Sequence, residues 1–152
     1  MPKASVKRLI ECKKEDLIKL VLDIEKYPEF VPFCFDAKVY ENKNDGDLTK
    51  IIADLTIGKG PFKDTYKSDV VFDKKKDTIF VKNIEGPLNH LYNNWTFTDK
   101  KNGITEITFD IDFEIKNKFL NSLMVVSFQF GLEKIADAFQ KRAEELFGSS
   151  KN

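Results

Sequence analysis

Residues 106–115, EITFDIDFEI, alternate apolar and polar side chains over their whole length. The apolar side chains occupy the odd positions: Ile107, Phe109, Ile111, Phe113 and Ile115. Because successive side chains of a β-strand point to opposite faces of the sheet, this pattern predicts a strand with one buried face and one face in water. One-sided strands of this kind are typical of antiparallel sheets.

The same period of two recurs in four earlier stretches, which are residues 50–57, 62–72, 78–84 and 91–97. A short polar or glycine-rich segment precedes each of these four stretches and residues 106–115, with the sequences NKNDGD, GKGP, DKKKD, EGP and DKKNG in that order. Strands joined by short turn segments of this composition indicate an antiparallel meander.

Helical spacing appears on both sides of this meander. In KEDLIKLVLDI the apolar positions Leu17, Leu20, Val21 and Ile24 follow the spacing of one helix face. Residues 117–148 predict a helix of about eight turns. We expect its apolar stripe to run through Leu120, Met124, Phe128, Ile135, Phe139 and Leu146, and Gly148 to end it.

The resulting order is strand, helix, broken helix, six strands and long helix, which predicts an α+β fold. The most economical packing places the long helix across the concave face of a strongly curved antiparallel sheet. A chain of 152 residues has the size of one ordinary domain. We therefore treat residues 1–152 as a single domain with a core of about residues 4–148.

Composition excludes several classes of protein. With 41% hydrophobic residues and 25 basic against 25 acidic residues, the chain is typical of a soluble globular protein without the basic excess of a DNA-binding protein. No apolar run approaches the ~20 residues of a transmembrane helix. Two cysteines, Cys12 and Cys34, without a preceding secretory signal predict free thiols in the cytoplasm.

Residues 26–34, KYPEFVPFC, combine two prolines with several large apolar side chains. Pro28 and Pro32 exclude a long helix or a central strand. We expect the large side chains of this segment to form the rim of a cavity, where a broken backbone allows ligand entry. The alternative is that they form a plug that closes one end of the core.

Four stretches carry a resemblance to a known family: DIEKYPEFVPFC, GPLNHLYNNWTF, FDIDFEIKNKFLNSL and AFQKRAEELFG. Over roughly residues 4–148 the chain resembles the coenzyme Q-binding subgroup of the START-like, or polyketide cyclase/dehydrase, superfamily, which includes the bacterial ribosome association toxin RatA. The resemblance implies the helix-grip fold, in which a curved sheet wraps a C-terminal helix around a lipid-sized cavity.

The resemblance also implies three functions. The first is a non-catalytic protein that binds ubiquinone or a late precursor as its ligand and contacts the bacterial inner membrane peripherally. The second is a toxin that binds the large ribosomal subunit. For this role we expect basic residues to make the contact, namely Lys3, Lys7, Arg8 and Lys74 to Lys76. The third is a polyketide cyclase or aromatase.

Strand parity predicts which side chains form the cavity. If the odd positions of 91–97 and the even positions of 62–70 face inward, most of the wall is aromatic or aliphatic, which suits an isoprenoid tail because each buried methylene contributes ~0.8 kcal/mol. The expected wall and rim residues are Tyr27, Phe30, Val31, Phe33, Phe62, Tyr66, Val70, Asn93, Trp95, Phe97, Phe109, Phe113 and Phe128.

Three side chains are candidates for binding a polar head group: Asn93, Tyr66 and Ser68. The alternative for each is a hydrogen bond to a neighbouring strand or to water. Parity also places Asp64 on the inner face, unless a bulge follows Pro61.

Catalytic and metal-binding patterns are missing from the sequence. His90 is the only histidine, and parity places it on the outer face. No serine or cysteine lies in a nucleophile motif, and the two cysteines with one histidine lack the spacing of metal ligands. We therefore expect a protein that is not an enzyme.

Overall fold

The computed structural model describes residues 3–59 and 61–147, and the side chains of residues 59, 62, 120 and 123–128 lie outside that description. Its elements follow the predicted order. They are β1 (Lys3–Ile10), α1 (Lys14–Leu22), a 3₁₀ turn (Ile24–Lys26), α2 (Tyr27–Phe30), β2 (Cys34–Asp45), β3 (Leu48–Lys59), β4 (Phe62–Asp73), β5 (Thr78–Glu85), β6 (Leu88–Asp99), a 3₁₀ turn (Lys101–Gly103), β7 (Thr105–Ile115) and α3 (Lys118–Phe147).

The strands form one curved antiparallel sheet in the order β1-β7-β6-β5-β4-β3-β2. From β2 to β7 each strand pairs with the next along the chain, which confirms the meander. β1 instead pairs with β7, from Lys3 opposite Asp112 to Ile10 opposite Thr105. The sheet does not close, so β1 and β2 are its two edges.

Helix α3 contacts β1, β7 and α1. Over its C-terminal half the buried stripe consists of Leu132, Ala136, Phe139 and Ala143. The prediction that the stripe extends to Leu146 is wrong, because this side chain lies in the last turn and is exposed. Three further residues of the predicted helix pattern, Leu120, Met124 and Phe128, have side chains outside the described residues, and Gly148 lies wholly outside them.

An aromatic stack forms the centre of the main core. The indole of Trp95 stacks on Phe109 with ring centroids 4.3 Å apart and on Phe97 at 6.2 Å. From α3, Phe139 meets the same indole edge to face at 5.1 Å. This stack joins the long helix to the concave face of β6 and β7.

The two ends of the concave face differ in how completely they are covered. At one end Ile51, Ile79 and Ile107 are 0–1% exposed beneath α1 and the C-terminal half of α3. Further along two of the same strands, Ile57 and Ile111 point to the same face but are only half-buried. We call the first region the filled end and the second the open end.

Candidate functional site

Apolar side chains form the surface of the open end. Four buried residues lie at its base, Tyr66, Leu88, Leu91 and Phe113, and the half-buried residues around them are Leu55, Ile57, Val81, Ile111 and Ile115. Side chains that face inward without being fully covered form a surface suited to an apolar ligand. The α3 side chains of residues 123–128 lie outside the described residues, so a lipid-sized cavity between helix and sheet stays a prediction.

The wall residues predicted on the sheet divide between the two ends. Inward parity is confirmed for those that the structure describes, which are Tyr66, Val70, Asn93, Trp95, Phe97, Phe109 and Phe113, all buried. Tyr66 and Phe113 belong to the open end, whereas Val70 and the aromatic stack belong to the main core. The side chains of Phe62 and Phe128 lie outside the described residues.

The first half of the proline-containing segment packs into the core. Tyr27 and Phe30 both contact the ring of Phe139 edge to face, at centroid distances of 5.5 and 5.1 Å. The Tyr27 hydroxyl donates a hydrogen bond to the backbone carbonyl of Val21. Val31 also packs against the main core. These contacts agree with the plug alternative for this half of the segment.

An ion pair fastens α2 to α3. The Arg142 guanidinium lies 2.7 Å from the Glu29 carboxylate and 5.0 Å from the centroid of the Phe30 ring. The hydrogen bond from Arg142, with a smaller contribution from Lys26, lowers the pKa of Glu29. The ion pair with Glu29 and the contact with the Phe30 ring therefore both hold α2 against α3.

Phe33, in the second half of the proline-containing segment, packs against α3 at Gly131. Its backbone is left-handed, with φ of 70°, a conformation that is costly for a bulky residue. The carbonyl of Phe33 accepts a hydrogen bond from the Gly58 amide at 3.0 Å. A Cβ at Gly131 would lie 3.6 Å from the Phe33 ring, so this ring packs directly on the helix backbone.

Two of the three head-group candidates are hydrogen-bonded to neighbouring strands or side chains. Ser68 donates to the Ala53 carbonyl at 3.0 Å. Asn93 donates to the Asp110 carbonyl at 3.0 Å and accepts from the Trp95 indole at 3.0 Å. The hydrogen bonds of both side chains are therefore made within the sheet, as the alternative for each of them predicted.

Tyr66 differs from these two residues. It is 7% exposed, and no described group forms a hydrogen bond with its hydroxyl. Burial, and to a smaller extent the nearby Cys34 thiol, raise the pKa of Tyr66 above its ordinary value. The hydroxyl therefore stays protonated at neutral pH and keeps its ability to donate.

The backbone of the β5–β6 turn packs closely against Tyr66 at Gly86. Gly86, in the turn between β5 and β6, has φ of 138°, and a Cβ there would lie 2.8 Å from Cβ of Tyr66 and 2.9 Å from its Cα. Only glycine permits this approach. Asn83 bridges the same region, since it accepts from the Leu91 amide at 2.8 Å and donates to the Leu88 carbonyl at 3.3 Å.

Asp64 lies on the inner parity of β4 but is not covered. Its pairing with β3 is unbroken, so it shares the parity of Tyr66 as predicted, but the side chain is exposed and accepts a hydrogen bond from the Thr65 amide at 2.8 Å. Nothing buries the side chain because β4 pairs with β5 only as far as Lys67. Beyond that point the β3–β4 hairpin projects past the packed face.

His90 faces outward, as parity predicts. Its Nε2 lies 2.9 Å from Asp112 Oδ1, and its ring stacks on Tyr92 at 5.4 Å, so the side chain is only 16% exposed. Within the described residues no group of three or more histidine, cysteine, aspartate or glutamate side chains has an arrangement that holds a metal.

The basic residues considered for ribosome binding lie on strand β1 and in the turn between β4 and β5. Arg8 pairs with Asp137 on α3 at 3.0 Å. Lys7 on β1 and Thr78 on β5 lie in one row of paired residues and are separated by three strand spacings of about 4.8 Å each. The turn with Lys74 to Lys76 comes directly before β5.

The long helix exposes two phenylalanines that strand parity does not reveal. Phe119 and Phe130 are 68% and 65% exposed. They are three helical turns apart, so they lie on the same face of α3. The Lys134 ammonium lies 4.7 Å above the Phe130 ring, which places positive charge beside the aromatic surface. In the part of the chain that the structure describes, no helix is long and apolar enough to cross a membrane.

Comparison with protein families gives a match over residues 10–140 to the family described as polyketide cyclase / dehydrase and lipid transport. Similar curated proteins have different roles. The ribosome association toxin RatA of Rickettsia prowazekii is 30% identical over 142 residues, covering 91% of this chain and 94% of that protein. The mitochondrial coenzyme Q-binding protein COQ10 of Dictyostelium discoideum is 32% identical over 135 residues, covering 86% of this chain and 63% of that protein.

Solved structures share the architecture. The solution structure of an 18 kDa protein from Caulobacter crescentus has a TM-score of 0.79 at 25% identity, with 96% of this chain and 98% of the other covered. The Zhui aromatase/cyclase from Streptomyces sp. R1128 has a TM-score of 0.81 at 11% identity, with 99% and 98% covered. At that identity the likeness concerns the fold alone.

Proposed function

Since the chain belongs to the polyketide cyclase / dehydrase and lipid transport family, we propose that it is a non-catalytic lipid-binding protein. In this proposal it binds ubiquinone or a late precursor at the open end and supports delivery of that lipid to biosynthesis and respiratory electron transport. The single observation that carries the proposal is the incomplete covering of the open end, where Ile57 and Ile111 face inward yet stay half-buried.

The physical support is the match between this surface and an isoprenoid tail. Each methylene that moves from water onto an apolar surface contributes ~0.8 kcal/mol, so a few isoprene units bind without any charged contact. The relative COQ10 is named for binding coenzyme Q.

Organic extraction tests the proposal. Protein purified from a ubiquinone-producing host is extracted, and the extract is analysed by mass spectrometry beside that of a control protein of the same fold. We expect close to one quinone per chain, either at once or after incubation with quinone-loaded liposomes. An extract with no more quinone than the control after both treatments would contradict the proposal.

Delivery requires contact with the membrane in which the quinone dissolves, and we propose that the exposed phenylalanines of α3 provide it. Aromatic side chains beside lysines suit the interface of an anionic membrane. We expect the double substitution Phe119→Glu and Phe130→Glu to reduce flotation with anionic liposomes at least tenfold. The control is Phe80→Glu on the outer face of the sheet, where the side chain is 41% exposed. Equal flotation of both variants would exclude this face as the membrane contact.

Ribosome association is the second candidate, and the specific observation in its favour is the similarity to RatA over nearly the full length of both chains. It predicts cosedimentation with purified large ribosomal subunits that weakens as salt rises, because phosphate contacts release counterions. Absence of cosedimentation at low salt would remove this candidate, and quinone binding would be unaffected.

A further inference from the structure

The polar side chains along the concave face are, with one exception, already hydrogen-bonded within the described part of the chain. Ser68, Asn93 and Asn83 bond to neighbouring strands, and Tyr27 bonds to Val21. At the filled end Thr105 donates to the Cys12 carbonyl at 2.7 Å. Buried polar groups are normally satisfied in this way.

Tyr66 is the exception. Its ring belongs to the apolar base of the open end with Leu88, Leu91 and Phe113, and its hydroxyl has no partner among the described groups. Among the described residues the buried side-chain atom without a hydrogen-bond partner is Arg142 Nε, so the unpaired Tyr66 hydroxyl is not fully enclosed and keeps some accessible surface. A ligand that reaches the open end can therefore accept a hydrogen bond from this hydroxyl.

The neighbouring thiol does not take this role. Cys34 lies near Tyr66, and its Sγ is 3.7 Å from the Asp36 carbonyl, to which it donates. Burial raises the pKa of Cys34 to about 11, so the thiol is neutral at pH 7. The thiol therefore adds no charge beside the Tyr66 hydroxyl, and its sulfur is only a weak acceptor.

We infer that the Tyr66 hydroxyl is the head-group contact of the site and donates a hydrogen bond to a carbonyl oxygen of the bound lipid. The inference rests on the proposed lipid-binding function and adds to it the residue that recognises the head group. A quinone, whose ring carries carbonyl acceptors, is selected over an isoprenoid hydrocarbon of similar size. Gly86 contributes by letting the β5–β6 turn pack against the Tyr66 backbone and hold the ring in place.

The test compares two tyrosine-to-phenylalanine variants with two ligands. Tyr66→Phe removes the free hydroxyl, whereas Tyr27→Phe removes a hydroxyl that is already bonded to Val21. The ligands are a short-tailed ubiquinone and squalene, an isoprenoid without a head group. We expect Tyr66→Phe to weaken ubiquinone binding by roughly 2- to 12-fold, the range for one neutral hydrogen bond, and to leave squalene binding unchanged. Tyr27→Phe is expected to leave the ratio of the two affinities unchanged.

Infrared spectroscopy of ubiquinone bound to the wild-type protein gives a second readout that does not depend on any variant folding. A hydrogen bond lowers the carbonyl stretching frequency relative to the same quinone in hexane. An unshifted frequency, or equal loss of ubiquinone and squalene binding in Tyr66→Phe, would overturn the assignment of Tyr66 while leaving lipid binding intact. Failure of the wild-type protein to bind either ligand would instead overturn the proposed function, and the head-group contact with it.

Discussion

Replacing Ile57 with glutamate is expected to lower the amount of quinone retained by the purified protein at least tenfold while the fold stays intact. In the free protein this side chain is half-buried at the open end, so a carboxylate there keeps part of its hydration. A bound tail would cover the position and strip that water away. Burying an unpaired charge costs far more than the ~1.4 kcal/mol that corresponds to a factor of ten.

The matched control is the neighbouring residue. Thr56→Glu adds the same charge to the same strand, but Thr56 faces outward, where its hydroxyl lies 2.7 Å from that of Thr65. Retention is measured by extraction and mass spectrometry after circular dichroism has shown that both variants are folded. If the two variants retain equal amounts of quinone, the ligand does not occupy the open end.

Truncating Trp95 to alanine should cost about 3–5 kcal/mol of unfolding free energy, the range observed for large aromatic side chains in cores. The indole is 4% exposed and contacts aromatic rings from three elements, including Phe139 on α3. Its loss also leaves the Asn93 side-chain oxygen without the donor that it has in the native protein. The lost packing and the unpaired Asn93 oxygen both lower the free energy of unfolding.

Denaturant unfolding with and without the substitution measures this cost. Phe80→Ala is the control, because Phe80 lies on the outer face and is 41% exposed, and surface changes usually stay within about 0.5 kcal/mol. A difference between the two variants below about 1 kcal/mol would mean that the aromatic stack does not hold the helix on the sheet.

The period of two in the sequence was sufficient to predict the sheet. The strand around residues 106–115 is β7, and the odd residues from Leu91 to Phe97 all face inward and are buried. Parity assigns a face, but it does not tell where along a strand the covering layer ends. That is why Asp64 and Tyr66, which share a parity, have opposite environments.

The candidate site was predicted less completely for the same reason. Trp95 and Ile111 lie on the same face of neighbouring strands, yet Trp95 is buried in the filled core whereas Ile111 is half-buried and packs against both clusters. The difference depends on which side chains pack over each position, which is a tertiary property. The free hydroxyl of Tyr66 likewise depends on where distant strands place their carbonyls, and no local pattern encodes that.

The pairing of β1 with β7 determines the order in which a newly synthesised chain can assemble. Residues 3–10 leave the ribosome about a hundred residues before their partners, residues 105–112. Contacts between such distant segments slow folding because the intervening loop must close before they form. Until then Val6 and Ile10 stay in water, although both are buried in the finished protein. β1 thus cannot join the sheet until β7 has been made.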